Sequence, residues 1–355
     1  MPPLFIDPAT QARVTAGTVA SYQKAAKCLT DWLLLHQLRP QTATEWDDLL
    51  VEWKAHAAPS KSQFSNALAA LEFFFPQYKG CLKWAHSVKH SWDITHVPQH
   101  TVPMLSGITR LYSVHCSTMG HPRLGVGMVL QQTKGLRPSE LLGIETSDIV
   151  LPEEMDSTGV QAVIIGLGVR QGTKAKRPQS AVLPLSQHPS LVRALRILKG
   201  CSDSGDRIFP YTLEQYNRII KKISKVLNLN VRYTPHSLRA GFASEGRAMG
   251  KQFTELREEG RWISDSSLRI YVDVVGAAAI AQSHAVRLLR PAIAQATAGW
   301  DAYFLRAWVV ACDGSHSPPA SRSSQTTTGR PTGPASSRDA AGGGSSSSGV
   351  ARGAR

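Results

Sequence analysis

The chain has 355 residues, 42% of them hydrophobic, with 40 lysines and arginines against 26 aspartates and glutamates, for a formal net charge of +14. That length can bury a sizeable core and makes two domains the default expectation. The charge favours a polyanionic partner, most simply nucleic acid, although a basic protein of ribosomal type would share it.

Compartment signals are few but agree with one another. Five scattered cysteines without C-x-x-C spacing argue against a disulfide framework and favour a reducing compartment. The opening MPPLFIDPATQARV has no apolar run, so we expect no signal peptide. Since no segment is apolar over the length of a membrane span, we expect no membrane partner. These signals predict an intracellular protein, nuclear if its source is eukaryotic.

The first part of the chain predicts a small helical domain. Residues 1–14 read as a proline-containing leader, and apolar residues then recur at three- and four-residue steps. The predicted helices are residues 18–37, 46–56, 60–75 and 82–91. Together they predict a helical N-terminal domain over residues 15–95.

A cluster of histidines lies near the end of this domain, within residues 86–100. His86 and His90 are four residues apart, which could place two metal ligands on one helix face. No close pair of cysteines accompanies them, so solvated or packed histidines are the better interpretation. We expect no metal site here.

A second domain is predicted over residues 104–311, after a proline-containing linker at 96–103. Its predicted helices are residues 105–116, 123–134, 138–143, 191–198, 213–227 and an Ala-rich 277–296. Between them, β-rich residues 161–168 and 180–185 predict a hairpin around the basic turn 171–176. Residues 312–355 are rich in Ser, Gly, Pro and Arg, which predicts a disordered tail. The folded part keeps a charge of +11 without this tail, so the tail is not the source of the basic character.

One stretch combines groups that suit a phosphate. Thr234 can cap a helix and Pro235 suits its first position, which places His236 and Arg239 one turn apart near the positive end of the helix. An ordinary helix with a surface arginine is the alternative interpretation of this segment. A tryptophan and a tyrosine follow within the same stretch.

Cleaving a DNA phosphodiester without a metal requires three kinds of group. Positive groups must balance charge on the phosphate oxygens, an acid must protonate the leaving oxygen, and a nucleophile must attack phosphorus. Arginine, lysine and tyrosine can supply these roles. No metal-binding carboxylate cluster stands out in the sequence, so we expect neither a metal nor a cofactor. By chemistry alone, Tyr211 and Tyr233 rival Tyr271 as the nucleophile.

Four separated segments carry these residue types. They are KGLRPSELLGI, the basic GTKAK of the predicted hairpin, HSLR, and GRWISDSSLRIYVDV. With these segments in this order, the chain resembles the tyrosine recombinases (the phage-integrase family), and more narrowly the integrase-type recombinases of eukaryotic mobile elements. The motifs cover about residues 104–290. The N-terminal helices match the family's core-binding domain by position only.

The resemblance implies roles for the first two segments. Arg137 matches the first family arginine, which would hold the scissile phosphate, and Glu140 matches an acidic residue that would support it. Lys174 matches the hairpin lysine, which would protonate the leaving oxygen. The turn is not defined by the sequence, so Lys176 and two flanking arginines remain alternatives.

It implies roles for the last two segments as well. Arg239 matches the second family arginine, and His236 would assist proton transfer and orient the phosphate. Tyr271 would be the nucleophile that forms a 3′-phosphotyrosyl bond. Trp262, nine residues earlier and at a position where the family more often has His, would donate its indole N–H to a phosphate oxygen.

The sequence therefore predicts a mainly α protein with a small antiparallel β-hairpin or sheet, an α+β fold whose two domains clamp double-stranded DNA. The resemblance implies a DNA strand transferase for site-specific recombination or integration, independent of metal and ATP and assembled as a tetramer on DNA. A catalytically inactive DNA-binding protein and a type IB topoisomerase-like relaxing enzyme are the alternatives.

Overall fold

The computed structural model describes residues 14–95, 101–168 and 179–314. Within these ranges the chain is mainly helical with one small antiparallel sheet, which confirms the predicted fold class. Among the described residues, no single helix is long and apolar enough to cross a membrane, and one sharply bent helix pair reaches that length and composition only when its halves are joined.

The N-terminal helices form where the apolar periodicity predicts them, and the fourth continues four residues past its expected end. They are α1 (Ala16–Leu35), α2 (Ala43–Ala57), α3 (Lys61–Phe74) and α4 (Lys83–Thr95). Thr42 and Ser60 begin α2 and α3 with capping boxes, in which the cap hydroxyl and a Glu or Gln side chain each accept a backbone N–H. The apolar faces meet in a core of their own around Leu50, Trp53 and Phe64.

A larger core begins at Met104. Its first helices are α5 (Ser106–Thr118), α6 (Pro122–Lys134), α7 (Pro138–Leu142), α8 (Pro189–Gly200) and α9 (Leu213–Val226), and α6 is the central one. Helix α6 is buried continuously from Leu124 to Gln132, because other helices pack around it. The residues that follow its C-terminal end, Gly135 and Leu136, therefore lie in the interior of the protein.

The sheet agrees with the predicted hairpin. Strands β2 (Ala162–Leu167) and β3 (Gln179–Pro184) pair antiparallel, and the two-residue β1 (Ile149–Val150) adds to the other edge of β2. Buried and more exposed residues alternate along β3, as expected when one face of a strand covers a core. The predicted turn at 171–176, with Lys174, lies outside the described residues.

The remaining helices follow α9 in the chain, and one prediction about them is wrong. They are α10 (Pro235–Ala248), α11 (Phe253–Glu259), α12 (Asp265–Arg269), α13 (Val274–Gln282), α14 (His284–Ala298) and α15 (Trp300–Gly314). The single Ala-rich helix expected over 277–296 is two helices, with an 85° bend at the break. Ser283 has extended backbone dihedrals and its hydroxyl accepts the Val286 N–H, so it ends one helix and caps the next.

A small separate cluster joins α10 to the segment that follows it. Phe242, Ala243, Leu256, Trp262 and Leu268 are buried together. The phenol ring of Tyr271 packs against this cluster. The motif residues late in the chain are thereby held against α10 by apolar packing.

Candidate active site

The end of α6 sets the position of Arg137. Gly135 caps the helix in the left-handed region with φ +57°, and a Cβ at this position would lie 2.5 Å from the Phe242 ring. Arg137 follows as the N-cap of α7. The Glu140 carboxylate accepts the Arg137 backbone N–H at 2.8 Å and its Nη1 at 2.5 Å. The guanidinium is therefore tied to its own helix start, with only 16% of its side chain exposed.

Arg239 lies in the first half of α10 and is fully buried, with 0% exposure. Its Nη1 donates to the carbonyl of Gly135, so α10 and the end of α6 are joined at this point. Its guanidinium carbon lies 3.7 Å from the centroid of the Trp262 ring and 5.6 Å from that of Tyr271. A desolvated cation on aromatic faces is a favourable arrangement.

Tyr271 lies in the turn after α12 and is held by its backbone. Its N–H donates to the carbonyl of Leu268 at 2.8 Å, and its carbonyl accepts the hydroxyl of the buried Ser244 at 3.2 Å. The Tyr271 ring centroid lies 5.6 Å from that of Trp262 and 6.4 Å from that of His236. The phenol is half-buried, so it is both fixed and accessible.

Arg137, Trp262 and Tyr271 border one cleft of about 440 Å³. It is lined by Arg137, Trp262, Ile263, Ser264, Ser267, Ile270 and Tyr271. The structure thus brings Arg137, Glu140, His236, Arg239, Trp262 and Tyr271 into one neighbourhood, from three segments distant in sequence. The position of Lys174 lies outside the described residues.

Several donors in this neighbourhood are buried and lack a hydrogen-bond partner among the described residues. They are Nε and Nη2 of Arg239, Nε of Arg261 and Nε1 of Trp262. Unpaired buried donors are costly to a protein, so a cluster of them calls for an explanation. Cationic and neutral N–H donors beside a tyrosine hydroxyl suit an anion with several acceptor oxygens, such as a phosphate.

The charges of the cluster act on one another. Burial would raise the pKa of Glu140, but the charges of Arg261 and Arg137 and the Arg137 N–H bond outweigh it, so this pKa is lowered. Burial, reinforced by the charge of Arg137, lowers the pKa of Arg239 to about 9, which leaves it protonated at neutral pH. The cluster therefore holds more positive than negative charge around the cleft.

The two rival tyrosines lie in different surroundings from Tyr271. Tyr233 is 2% exposed and its ring packs edge-on against Tyr112. Burial raises the pKa of Tyr233, and it raises that of Tyr211 to about 12. Neither phenol lines the cleft that Tyr271 lines. Their surroundings favour packing roles over nucleophilic ones.

One residue of this cluster was missed by the sequence reasoning. Arg261 is 8% exposed, and its Nη2 lies 3.5 Å from Glu140 Oε2. The available signal was its unusual place in the Gly-Arg-Trp segment of the last motif. That signal does not reveal the contact, because Glu140 lies over a hundred residues earlier in the chain.

A buried amide supports both halves of the cleft and was also missed. Gln131 Nε2 donates to the carbonyl of Leu136 at 3.2 Å and to that of Pro235 at 2.8 Å. These two carbonyls immediately precede Arg137 and His236. The Tyr216 hydroxyl donates to Gln131 Oε1 at 2.8 Å, which fixes the orientation of the amide.

The histidine segment, which begins in the first turn of α4, shows a simple pairing. The Nε2 atom of His86 lies 2.9 Å from the carboxylate of Glu72, and His90 is exposed. His96 and His100 lie outside the described residues. In the described parts of the chain, no group of three or more His, Cys, Asp or Glu side chains is placed to hold a metal ion.

Comparison with known proteins identifies the fold. No family model and no curated protein matches the chain. Among solved structures it is similar to the Tn1549 transposon integrase in complex with transposon right end DNA, with 14% identity and a TM-score of 0.53 over 77% of this chain and 96% of that chain. The same integrase with circular intermediate DNA gives 14% identity and 0.51 over 78% and 97%. The chain therefore has the fold of a tyrosine recombinase catalytic domain.

Proposed function

We propose that this protein is a DNA breaking and rejoining enzyme, a tyrosine recombinase that performs site-specific recombination or integration. The observation that carries the proposal is the set of unpartnered buried donors on Arg239 and Trp262, beside Arg137 and the half-buried Tyr271. A phosphodiester in the cleft would lie within reach of the phenol, and it would accept from these donors once the buried side chains turn toward it. The fold shared with the Tn1549 integrase, whose structures contain DNA, agrees with this.

The proposed reaction conserves the phosphodiester bond energy. The Tyr271 oxygen attacks phosphorus, and its proton passes to His236. The bond from phosphorus to the 5′ oxygen breaks, and Lys174 gives that oxygen a proton. A 5′ hydroxyl later attacks the 3′-phosphotyrosyl bond, which restores the DNA strand and frees the tyrosine. The arginines and Trp262 balance the transition-state charge, so the scheme uses neither metal nor ATP.

Double-stranded DNA is the proposed partner, held mainly through its phosphates. One face of α9 presents exposed Arg218, Lys221, Lys222 and Lys225, while Ile220 and Ile223 on the other face are buried. We propose a tetramer on DNA, since exchange of strands between two duplexes needs four cleavages. We also propose that the gene lies in a eukaryotic mobile element, which sequencing of its flanking DNA would test.

The decisive experiment uses a suicide DNA substrate, nicked beside the cleavage point. After cleavage the short fragment that carries the 5′ hydroxyl diffuses away, so the covalent adduct accumulates. Wild-type protein should form a covalent adduct on a denaturing gel, and Tyr271→Phe should form none while retaining DNA in a gel shift. Tyr211→Phe is the matched control and should keep the adduct. An adduct that persists in Tyr271→Phe contradicts the assigned nucleophile.

The same substrate separates the other activities. DNA retention without any adduct from the wild type would indicate an inactive DNA-binding protein. Relaxation of supercoiled plasmid by the wild type, without joining of two sites, would indicate a topoisomerase-like enzyme. Arg137→Ala should abolish the adduct with retention largely intact, whereas loss of retention would make this arginine a binding residue only.

A further inference from the structure

Arg261 has a backbone conformation that is uncommon for its residue type. It lies between α11 and Trp262 with φ +57°, in the left-handed region that favours glycine. The residue is nevertheless buried, with only 8% of its surface exposed. A buried cation on a strained backbone persists only where its surroundings hold it firmly.

The side chain of Arg261 is held by the ends of two helices. Its Nη1 donates to the carbonyl of Glu259 at 2.7 Å. Its Nη2 donates to the carbonyls of Lys134 at 3.2 Å and Gly135 at 3.5 Å. The guanidinium therefore bridges the end of α11 to the left-handed cap of α6.

These contacts involve the same groups that hold Arg137 and Arg239, the two arginines proposed to bind the phosphate. The Gly135 carbonyl accepts from both Arg239 and Arg261. Oε1 of Glu140 accepts a hydrogen bond from Nη1 of Arg137, and Oε2 of Glu140 lies 3.5 Å from Nη2 of Arg261. The backbone carbonyl of Arg261 itself accepts from Arg137 Nη2 at 3.3 Å.

We infer that Arg261 is a positioning residue, which holds Arg137 and Arg239 in register for the phosphate through Glu140 and the Gly135 carbonyl. The inference rests on the proposed function. The Nη1 and Nη2 atoms of Arg261 face protein carbonyls and the carboxylate, its Nε has no partner among the described residues, and the residue does not line the cleft. The residue therefore acts through its neighbours. Its charge also keeps Glu140 ionised beside Arg137.

Glycine is the informative substitution because it accepts a φ of +57° and removes only the side chain. Arg261→Gly should slow single-turnover adduct formation about 10-fold to 100-fold, the range that loss of a supporting residue costs at metal sites. DNA affinity should stay within about threefold of wild type. The melting temperature should fall, because relief of backbone strain offsets only part of the lost hydrogen bonds, so the rates are compared at a temperature at which both proteins are fully folded. Arg257→Ala, which removes an arginine paired with Asp265 outside the cluster, is the charge-matched control and should keep the wild-type rate.

A double-mutant cycle with Glu140→Gln separates positioning from general packing. If Arg261 acts through Glu140, the rate loss of the double variant should fall short of the product of the single losses by at least about threefold. A wild-type rate in Arg261→Gly, multiplicative losses, or a rate that only follows the unfolded fraction would each overturn the inference. If the wild type forms no adduct, the proposed function fails first and the inference falls with it. If the wild type cleaves and Arg261→Gly cleaves equally well, only the inference fails.

Discussion

The guanidinium of Arg239 lies 3.7 Å from the ring centroid of Trp262, and the two side chains are 0% and 6% exposed. The aromatic face stabilises a cation that has lost its water, by about 2 kcal/mol in desolvated pairs. The ring of Phe242 lies nearly parallel to the indole, with the two ring centroids 6.2 Å apart. The pair thus holds Arg239 in place, while its Nε and Nη2 have no hydrogen-bond partner among the described residues.

Trp262→Phe tests whether the indole N–H has a role beyond packing. Phenylalanine keeps an aromatic face for Arg239 but removes Nε1, which has no partner among the described residues. We expect single-turnover cleavage to fall about 100-fold, as for removal of one transition-state donor. Trp300→Phe is the matched control, because that indole is also buried, stacks on Phe304 and donates to Ser113 at 2.8 Å. It should lose stability without loss of rate; equal rate losses would contradict a phosphate role for Trp262.

Arg239→Met tests whether the buried cation is kept for function at the expense of stability. Arg239 is desolvated and lies near two other guanidinium groups, so an apolar side chain of similar length removes both the cost of burying a charge and the repulsion between like charges. We expect a free energy of unfolding equal to or above that of the wild type, with no adduct formation. Sulfate should raise the melting temperature of the wild type more than that of the variant, because only the wild type binds it specifically. A variant destabilised by more than about 3 kcal/mol would show that Arg239 is mainly structural.

Local signals in the sequence predicted much of this arrangement. Apolar periodicity placed the helices, and the cap at Thr234 with Pro235 placed His236 in the first turn of α10. The motif order predicted that Arg137, Arg239 and Tyr271 would meet. In the structure Arg137 and Tyr271 line one cleft, and the buried guanidinium of Arg239 lies 5.6 Å from the Tyr271 ring centroid. These features depend on neighbours close in the chain or on a pattern shared with a family.

The features that were missed depend on contacts between distant segments. The left-handed backbone of Arg261 has no local glycine signal, and its partner Glu140 is set by the fold. Gln131 reads as one more polar residue until α6 is seen buried on all sides. The break at Ser283 was missed because the apolar pattern continues across it; the structure shows it by the 85° bend and by the capping bond to Val286.

Gly135→Ala should cost more stability than a glycine in a similar conformation elsewhere. A left-handed φ costs alanine about 1 kcal/mol, and the added Cβ would also lie 2.5 Å from the Phe242 ring. We expect a total loss of about 2 to 4 kcal/mol in urea denaturation, with slower cleavage because the carbonyl that Arg239 uses must move. Gly120→Ala, with φ +84° and no atom within 4 Å of the added Cβ, should show the backbone cost alone. Equal losses would mean that the Phe242 contact relaxes freely.

Tyr216→Phe should weaken the support beneath the cleft. The substitution leaves the buried Oε1 of Gln131 without its donor, at a cost of about 1–3 kcal/mol. A mobile amide would hold the carbonyls of Leu136 and Pro235 less firmly, so we expect a lower cleavage rate as well. Tyr112→Phe removes a comparable hydroxyl that is bonded to Ser224 at 2.8 Å away from these carbonyls, and should lower stability only. A rate unchanged in both variants would show that the Gln131 amide needs no fixing.

The pH dependence of stability should distinguish two buried carboxylates by sign. The folded-state pKa of Glu140 is lowered, because the arginine charges and the Arg137 N–H outweigh burial, so its stabilisation is present above the unfolded value near 4.5. That stabilisation is lost as the pH falls through the lower folded pKa, so the advantage of wild type over Glu140→Gln, about 3 kcal/mol at neutral pH, should shrink on acidification. Burial raises the pKa of Glu245, so as the pH falls the folded protein binds a proton at this residue before the unfolded protein does. The free energy of unfolding of the wild type should therefore rise relative to that of Glu245→Gln as the pH falls. Thermal melts between about pH 3 and pH 7 measure both differences, and a common direction for the two would contradict the charge assignment of the Arg137–Glu140–Arg261 cluster.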